Sequence, residues 1–246
     1  IHMGLIFYFF ALIGFWASLV FYNSYLPDIA HTEQQDFASA RGFSMGYIGS
    51  ILLLLFNLSM VLNPDWYGIT GSSEESSIKA MKYSFITVGI WWILFSQYAF
   101  YHLPVGNGSG KVTKDIVWNG FLELKKVWHQ LAHYPLLKKF LPAFFVYSTA
   151  LQTVILIATY FGEQEISWEN NDQKTVGLIV SILLIQIVAI FGAYATAYAS
   201  KKHGNILTLI VVNLIWAGLC VFAFFIKTPI EFYIAAAGVG MVMGGI

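Results

Sequence analysis

Apolar and polar positions alternate in long blocks along the chain. Uncharged stretches run over 3–22, 43–62, 83–103, 140–162, 175–199 and 205–226, and a further apolar run opens near 230. Crossing a hydrocarbon core of about 30 Å takes roughly 20 apolar residues in a helix, so each full run predicts a membrane-spanning helix. Short polar connectors separate most of them, including 29–42 and 63–82. The break at 104–139 is longer, and it predicts three parts: the end of one helix bundle at 1–103, a linker at 104–139, and the start of a second bundle at 140–246.

The linker has its own pattern. Gly106 to Gly110 reads as a flexible tether, while Ile116, Val117, Phe121, Leu124, Val127, Trp128 and Leu131 recur near helical spacing. That recurrence predicts an amphipathic helix over 113–133, lying on or under the membrane. At the start of the second run, Gly42, Gly46 and Gly49 share a helical face and predict close approach by another helix. The last run stops at Ile246 without a flanking polar loop and the first residue is not Met. The chain is therefore expected to be a piece of a longer protein.

Charge sets the expected orientation. Lys111, Lys114, Lys125, Lys126, Lys138 and Lys139 all lie in the linker, and alternate connectors divide the 13 basic residues nine against four. Lysine-rich loops resist translocation, so 23–42, 104–139 and 200–204 are expected on the cytoplasmic side.

Composition narrows the function classes. The chain is 58% hydrophobic and 11% charged, with a mean hydropathy of +0.67, far from the soluble norm of about 25% charged. An integral, multi-pass membrane protein is expected, in a bacterial inner membrane. With zero net charge and no interleaving of basic and aromatic residues, no nucleic-acid partner is expected. Cys220 stands alone in an apolar run, and the acidic residues of 163–174 lack a calcium-loop pattern. Neither a metal nor a cofactor is therefore expected. No nucleophile motif or acid–base cluster lies within the spans, which disfavours a membrane-embedded enzyme.

Four segments carry a family resemblance: Phe21-Tyr-Asn-Ser-Tyr-Leu-Pro27, Ser39-Ala-Arg-Gly-Phe-Ser-Met-Gly-Tyr-Ile-Gly-Ser50, Gly89-Ile-Trp-Trp-Ile-Leu-Phe-Ser96, and Tyr147 to Gly162 with its Gln152-Thr153-Val154. On these the chain resembles the vacuole effluxer family, the autophagy-related-protein-22-like branch of the major facilitator superfamily. The resemblance implies an all-α integral membrane fold of two six-helix halves, with the visible spans as helices four to ten of twelve. It also implies a secondary transporter of a small solute working by alternating access. Amino acids are the implied substrate class, since fungal relatives export them from the vacuole. Many members carry Asp-Gly or Met-Gly where this chain has Thr149-Ala150. The segment Lys201-Lys202-His203-Gly204-Asn205, after Gly192, resembles the superfamily's cytoplasmic signature loop, without its usual acidic residue and with Thr196 and Ser200 nearby.

Transporters of this architecture place substrate near the bilayer midplane between their halves. The midspan polar residues are then candidates for substrate contact: Asn57, Gln97, Gln152 with Thr149 and Thr153 beside it, Gln186 and Asn213. Helix-to-helix hydrogen bonding is the plainer role for each. Lys201, Lys202 and Gly204 are gating candidates, although positive-inside topology also accounts for the lysines. No Asp, Glu, Lys, Arg or His sits in the middle of a span, so coupling to a proton or another ion would draw on a group elsewhere. The alternative is a non-transporting membrane receptor or scaffold on the same fold.

Overall fold

The computed structural model describes residues 2–103 and 116–244. Among them it contains helices and short connectors, with no strand. The helices are α1 (His2–Ser24), a short α2 (Leu26–Ile29), α3 (Gln35–Leu62), α4 (Ser73–His102), α5 (Ile116–Gln130), α6 (Pro135–Gln164), α7 (Asn171–His203), α8 (Asn205–Ala223) and α9 (Pro229–Met243). Among the described residues six segments are long and apolar enough to cross a membrane: α1 continued by α2, α3, α4, α6, α7 and α8. Large apolar side chains such as Phe7, Phe85, Leu156 and Leu214 are exposed along them. In water such a surface would drive association, whereas lipid is a solvent of matching polarity. The chain is an all-α, multi-pass integral membrane protein.

The helices outrun the apolar stretches in two places. Residues 35–42 and 73–82, expected within polar connectors, form the first turns of α3 and α4. Hydropathy marks where lipid begins, but a helix continues until its free backbone groups are capped. At α4 the cap is reciprocal: Ser72 N–H donates to Glu75 Oε2 and Glu75 N–H donates to Ser72 Oγ, each at 3.4 Å. The expected helix at 113–133 is α5 plus a single 3-10 turn at Leu131–His133. The glycine-rich tether at 106–110 and the basic Lys111 and Lys114 lie outside the described residues.

Two compact units form, Ile1–Ser84 with Glu165–Ile246, and Phe85–Gln164. In the first, α7 is central, with α9 and α3 packed along it and α8 beside it. The approach of α9 is set by small residues. A Cβ on Gly240 would collide with the Ile185 carbonyl, one on Gly244 with the Ala189 carbonyl, and one on Gly192 with the Met241 carbonyl. In lipid, where solvent and side chains are equally apolar, such backbone proximity supplies the dispersion contacts that hold helices together. The glycines opening α3 behave differently: Gly42 abuts Tyr22 of α1, while Gly46 meets nothing within 4 Å.

Between α3 and α7 the core is thin, made of Ala40, Ala193 and Ala197 with Phe37 against them. At the far end of α3, Met60 packs with Ile69 and Ala80, and the Ser59 and Tyr67 hydroxyls pair at 2.6 Å. The start of α7 is held by its own connector. Ser167 N–H donates to the Lys227 carbonyl at 2.9 Å, Trp168 meets Phe232 edge-on, and Asn170 caps α7 by accepting from Gln173 N–H at 2.8 Å.

The second unit holds the later part of α4, α5, the turn at 131–133, and α6. That turn packs on both α5 and the start of α6.

Candidate functional site

Three helix ends converge in the first unit, and each contributes one face at the same spacing. From α3 come Asp36, Ser39, Ala40 and Phe43; from α7, Ala193, Thr196, Ala197 and Ser200; from α8, Asn205, Thr208, Leu209 and Val212. Steps of three, four and seven residues put each set on one side of its helix. With Gly244 of α9 they line a cleft of about 290 Å³. Small side chains make the space, and the polar ones lie at the helix ends.

One hydrogen-bonded group ties these ends together. Ser200 Oγ donates to Asp36 Oδ2 at 2.6 Å and reaches the side-chain amide of Asn205 at 2.5 Å. A hydroxyl carries a single hydrogen. Asp36 Oδ2 and Asn205 Oδ1 are therefore alternative acceptors for that one hydrogen. The group thus runs Asn205 to Ser200 to Asp36, linking α8, α7 and α3. Hydrogen bonds to a charged acceptor contribute about 1.5–3 kcal/mol when well buried; in this part-buried setting about 1–2 kcal/mol is apt.

The tight link between α7 and α8 is made by Gly204, whose φ of +85° falls in a region that favours glycine. Its carbonyl accepts from Thr208 Oγ1 at 3.0 Å. Lys201 Nζ stands 5.7 Å from the centre of the Phe37 ring, within range of a cation–π attraction, while Lys202 is exposed.

The expected substrate-contacting residues do not line this cleft. Gln97, Thr149, Gln152 and Thr153 belong to the second unit and are exposed, with Thr153 Oγ1 donating to the Thr149 carbonyl at 2.8 Å. In the first unit Asn57 and Asn213 are half-buried, and Asn213 Nδ2 donates to the Leu209 carbonyl at 2.9 Å. Gln186 differs from all of these: it is 9% exposed, and its Oε1 has no hydrogen-bond partner among the described residues. An unmet buried acceptor costs about 1–3 kcal/mol, which makes Gln186 the expected residue with most to gain from a polar ligand. The gating candidates flank the cleft directly.

Asp36 and Thr208 were overlooked, and Ser39 and Asn205 were noticed only as members of the resemblance segments, not as lining a cleft. Asp36 supplies from α3 a carboxylate beside Ser200, near where the signature loop lacks its acid. The i, i+3, i+4, i+7 spacing in all three helices was the available signal.

The family described as "Vacuole effluxer Atg22 like" matches residues 2–246. The chain is 29% identical over 248 residues to a Bacillus subtilis (strain 168) protein named "Uncharacterized MFS-type transporter YxiO", covering 98% of this chain and 54% of that one. It is 22% identical to "Autophagy-related protein 22" of Kluyveromyces lactis and 26% identical to that of Eremothecium gossypii, covering 85% of this chain in both cases and 43% and 41% of those proteins. The chain therefore spans about half the length of these relatives, or less. No solved structure matches it significantly. With its all-helical, membrane-length architecture of the major facilitator type and a family match along virtually its whole length, the chain belongs to the Atg22-like vacuole effluxer family.

Proposed function

We propose that the chain forms part of a secondary transporter that moves a small solute, of the amino-acid class, across a bacterial inner membrane by alternating access. On the sequence division at 104–139, α3 and α7 belong to opposite halves, as helices five and eight of twelve, and the seam between them is where the halves rock. The observation that carries the proposal is the cleft at one end of that seam, closed by the Ser200–Asp36 hydrogen bond. Opening this end breaks that bond and withdraws Lys201 from Phe37, while the buried cluster behind it is made of small side chains, Ala40, Ala193 and Ala197, with Phe37 against them. A closed state held by a few weak, specific bonds can be exchanged for an open one by the differential binding of a solute.

The lysine bias places this gate on the cytoplasmic side. Gln186 lies deeper along the same helix as Ser200, four turns away by its spacing, and would meet the solute through its unpaired acceptor. Gln97, Thr149, Gln152, Thr153, Asn57 and Asn213 remain candidates for the remainder of the site. The test is counterflow of radiolabelled amino acids into liposomes containing the full-length protein. Saturable exchange supports the proposal; absence of exchange for every small solute tried favours a receptor or scaffold on the same fold.

A further inference from the structure

We propose that α5 is an interfacial helix that docks on a bilayer surface rich in anionic headgroups. At 100° per residue, Val127, Leu124, Trp128 and Phe121 fall within an arc of about 120°, and all four are more than half exposed. Lys126, Asn119 and Gln130 occupy the opposite side with Leu122, while Glu123 and Lys125 border the apolar arc on either edge. This helix ends at Gln130, and four residues later α6 begins at Pro135. From Gln130 to Pro135 the chain spans about 18 Å at most, and the 3-10 turn at Leu131–His133 shortens that reach, so the end of α5 is held close to the interface where α6 enters the lipid. A helix tethered at that depth with an open apolar face has the acyl boundary as its nearest apolar phase.

Charge selects the lipid. Lys126 is paired with Glu123 at 2.6 Å, whereas Lys125, Lys138 and Lys139 have no carboxylate within ion-pair distance among the described residues. Lys125 borders the apolar face, and Lys138 and Lys139 sit near the start of α6. Long lysine stems can lie along an apolar surface while their ammonium groups reach outward to phosphate. A lysine near an anionic surface favours binding by roughly fivefold, so the three together favour docking by about a hundredfold over a neutral surface. The inference is independent of whether the protein transports anything.

The test uses the full-length protein in nanodiscs of phosphatidylcholine alone, or with one third phosphatidylglycerol. A fluorophore is placed at Leu124→Cys or Asn119→Cys with Cys220 and any other cysteine of the full-length protein replaced, and quenching by doxyl-labelled lipid is read. The expected result is strong quenching at 124, weak quenching at 119, and an increase at 124 with phosphatidylglycerol that Lys125→Gln, Lys138→Gln and Lys139→Gln together remove. Three results would overturn it: no lipid quenching at 124, which means that protein covers the face; equal quenching at 124 and 119; or quenching at 124 indifferent to phosphatidylglycerol.

Discussion

Replacing Ser200 by alanine probes the gate most sharply. The substitution deletes the hydroxyl that donates to Asp36 at 2.6 Å and leaves the alanine seam of Ala40, Ala193 and Ala197 in place. The lost bond contributes about 1–2 kcal/mol in its part-buried setting. If it is made only when the seam is closed, the open population rises by about 5–30-fold, since 1.4 kcal/mol is a factor of ten. The assay is the rate at which a membrane-impermeant maleimide modifies Thr196→Cys, a cleft-lining position, in inside-out vesicles, with Cys220 and any other cysteine of the full-length protein replaced. Asp36→Ala should raise the rate by a similar factor. The double variant should exceed neither single one, because both remove the same bond. Unchanged labelling in Ser200→Ala, or effects of the two substitutions that multiply, would refute the assignment of this bond to the closed state.

Three further outcomes are expected. Gly240→Val should destabilise the detergent-solubilised protein by about the 1–3 kcal/mol typical of overpacking or more, read as a lower thermal denaturation midpoint, because its side chain meets the Ile185 carbonyl, while Gly218→Val, with nothing within 4 Å, should leave the midpoint nearly unchanged. Gln186→Leu should be neutral or stabilising by the same measurement, since it removes an unpaired buried acceptor, yet raise the KM for exchange about tenfold if that acceptor meets the solute; unaltered transport would remove Gln186 from the site. Lys126→Cys should react with impermeant reagents in inside-out vesicles and not in intact cells, as the lysine bias requires.

The spans were legible because bilayer thickness imposes a length on apolar runs, and that constraint acts on composition alone. The amphipathic α5 was legible for the same kind of reason, its two faces being written at helical period. What escaped was whatever depends on which helices meet. Gly42, Gly46 and Gly49 looked like a packing face, and Gly42 does abut Tyr22 of α1, yet Gly46 meets nothing nearby, and the closest backbone seam belongs to Gly240 and Gly244 against α7. Small residues permit close approach without naming the partner. Asp36 was hidden by being read as loop, although its helical register with Ser39, Ala40 and Phe43 matched the registers around Ser200 and Asn205. The pairing of Asp36 with Ser200 could be found only once α3 was placed against α7, because the two lie 164 positions apart in sequence.

The most direct test of the gate is to lock it. Asp36→Cys and Ser200→Cys, placed together in an otherwise cysteine-free full-length protein, are joined by a short bifunctional methanethiosulfonate and the protein is reconstituted for solute exchange. Exchange should fall to background when the link is complete and return on reduction. Full exchange through the linked protein would contradict a seam that must part at α3 and α7 for solute to pass.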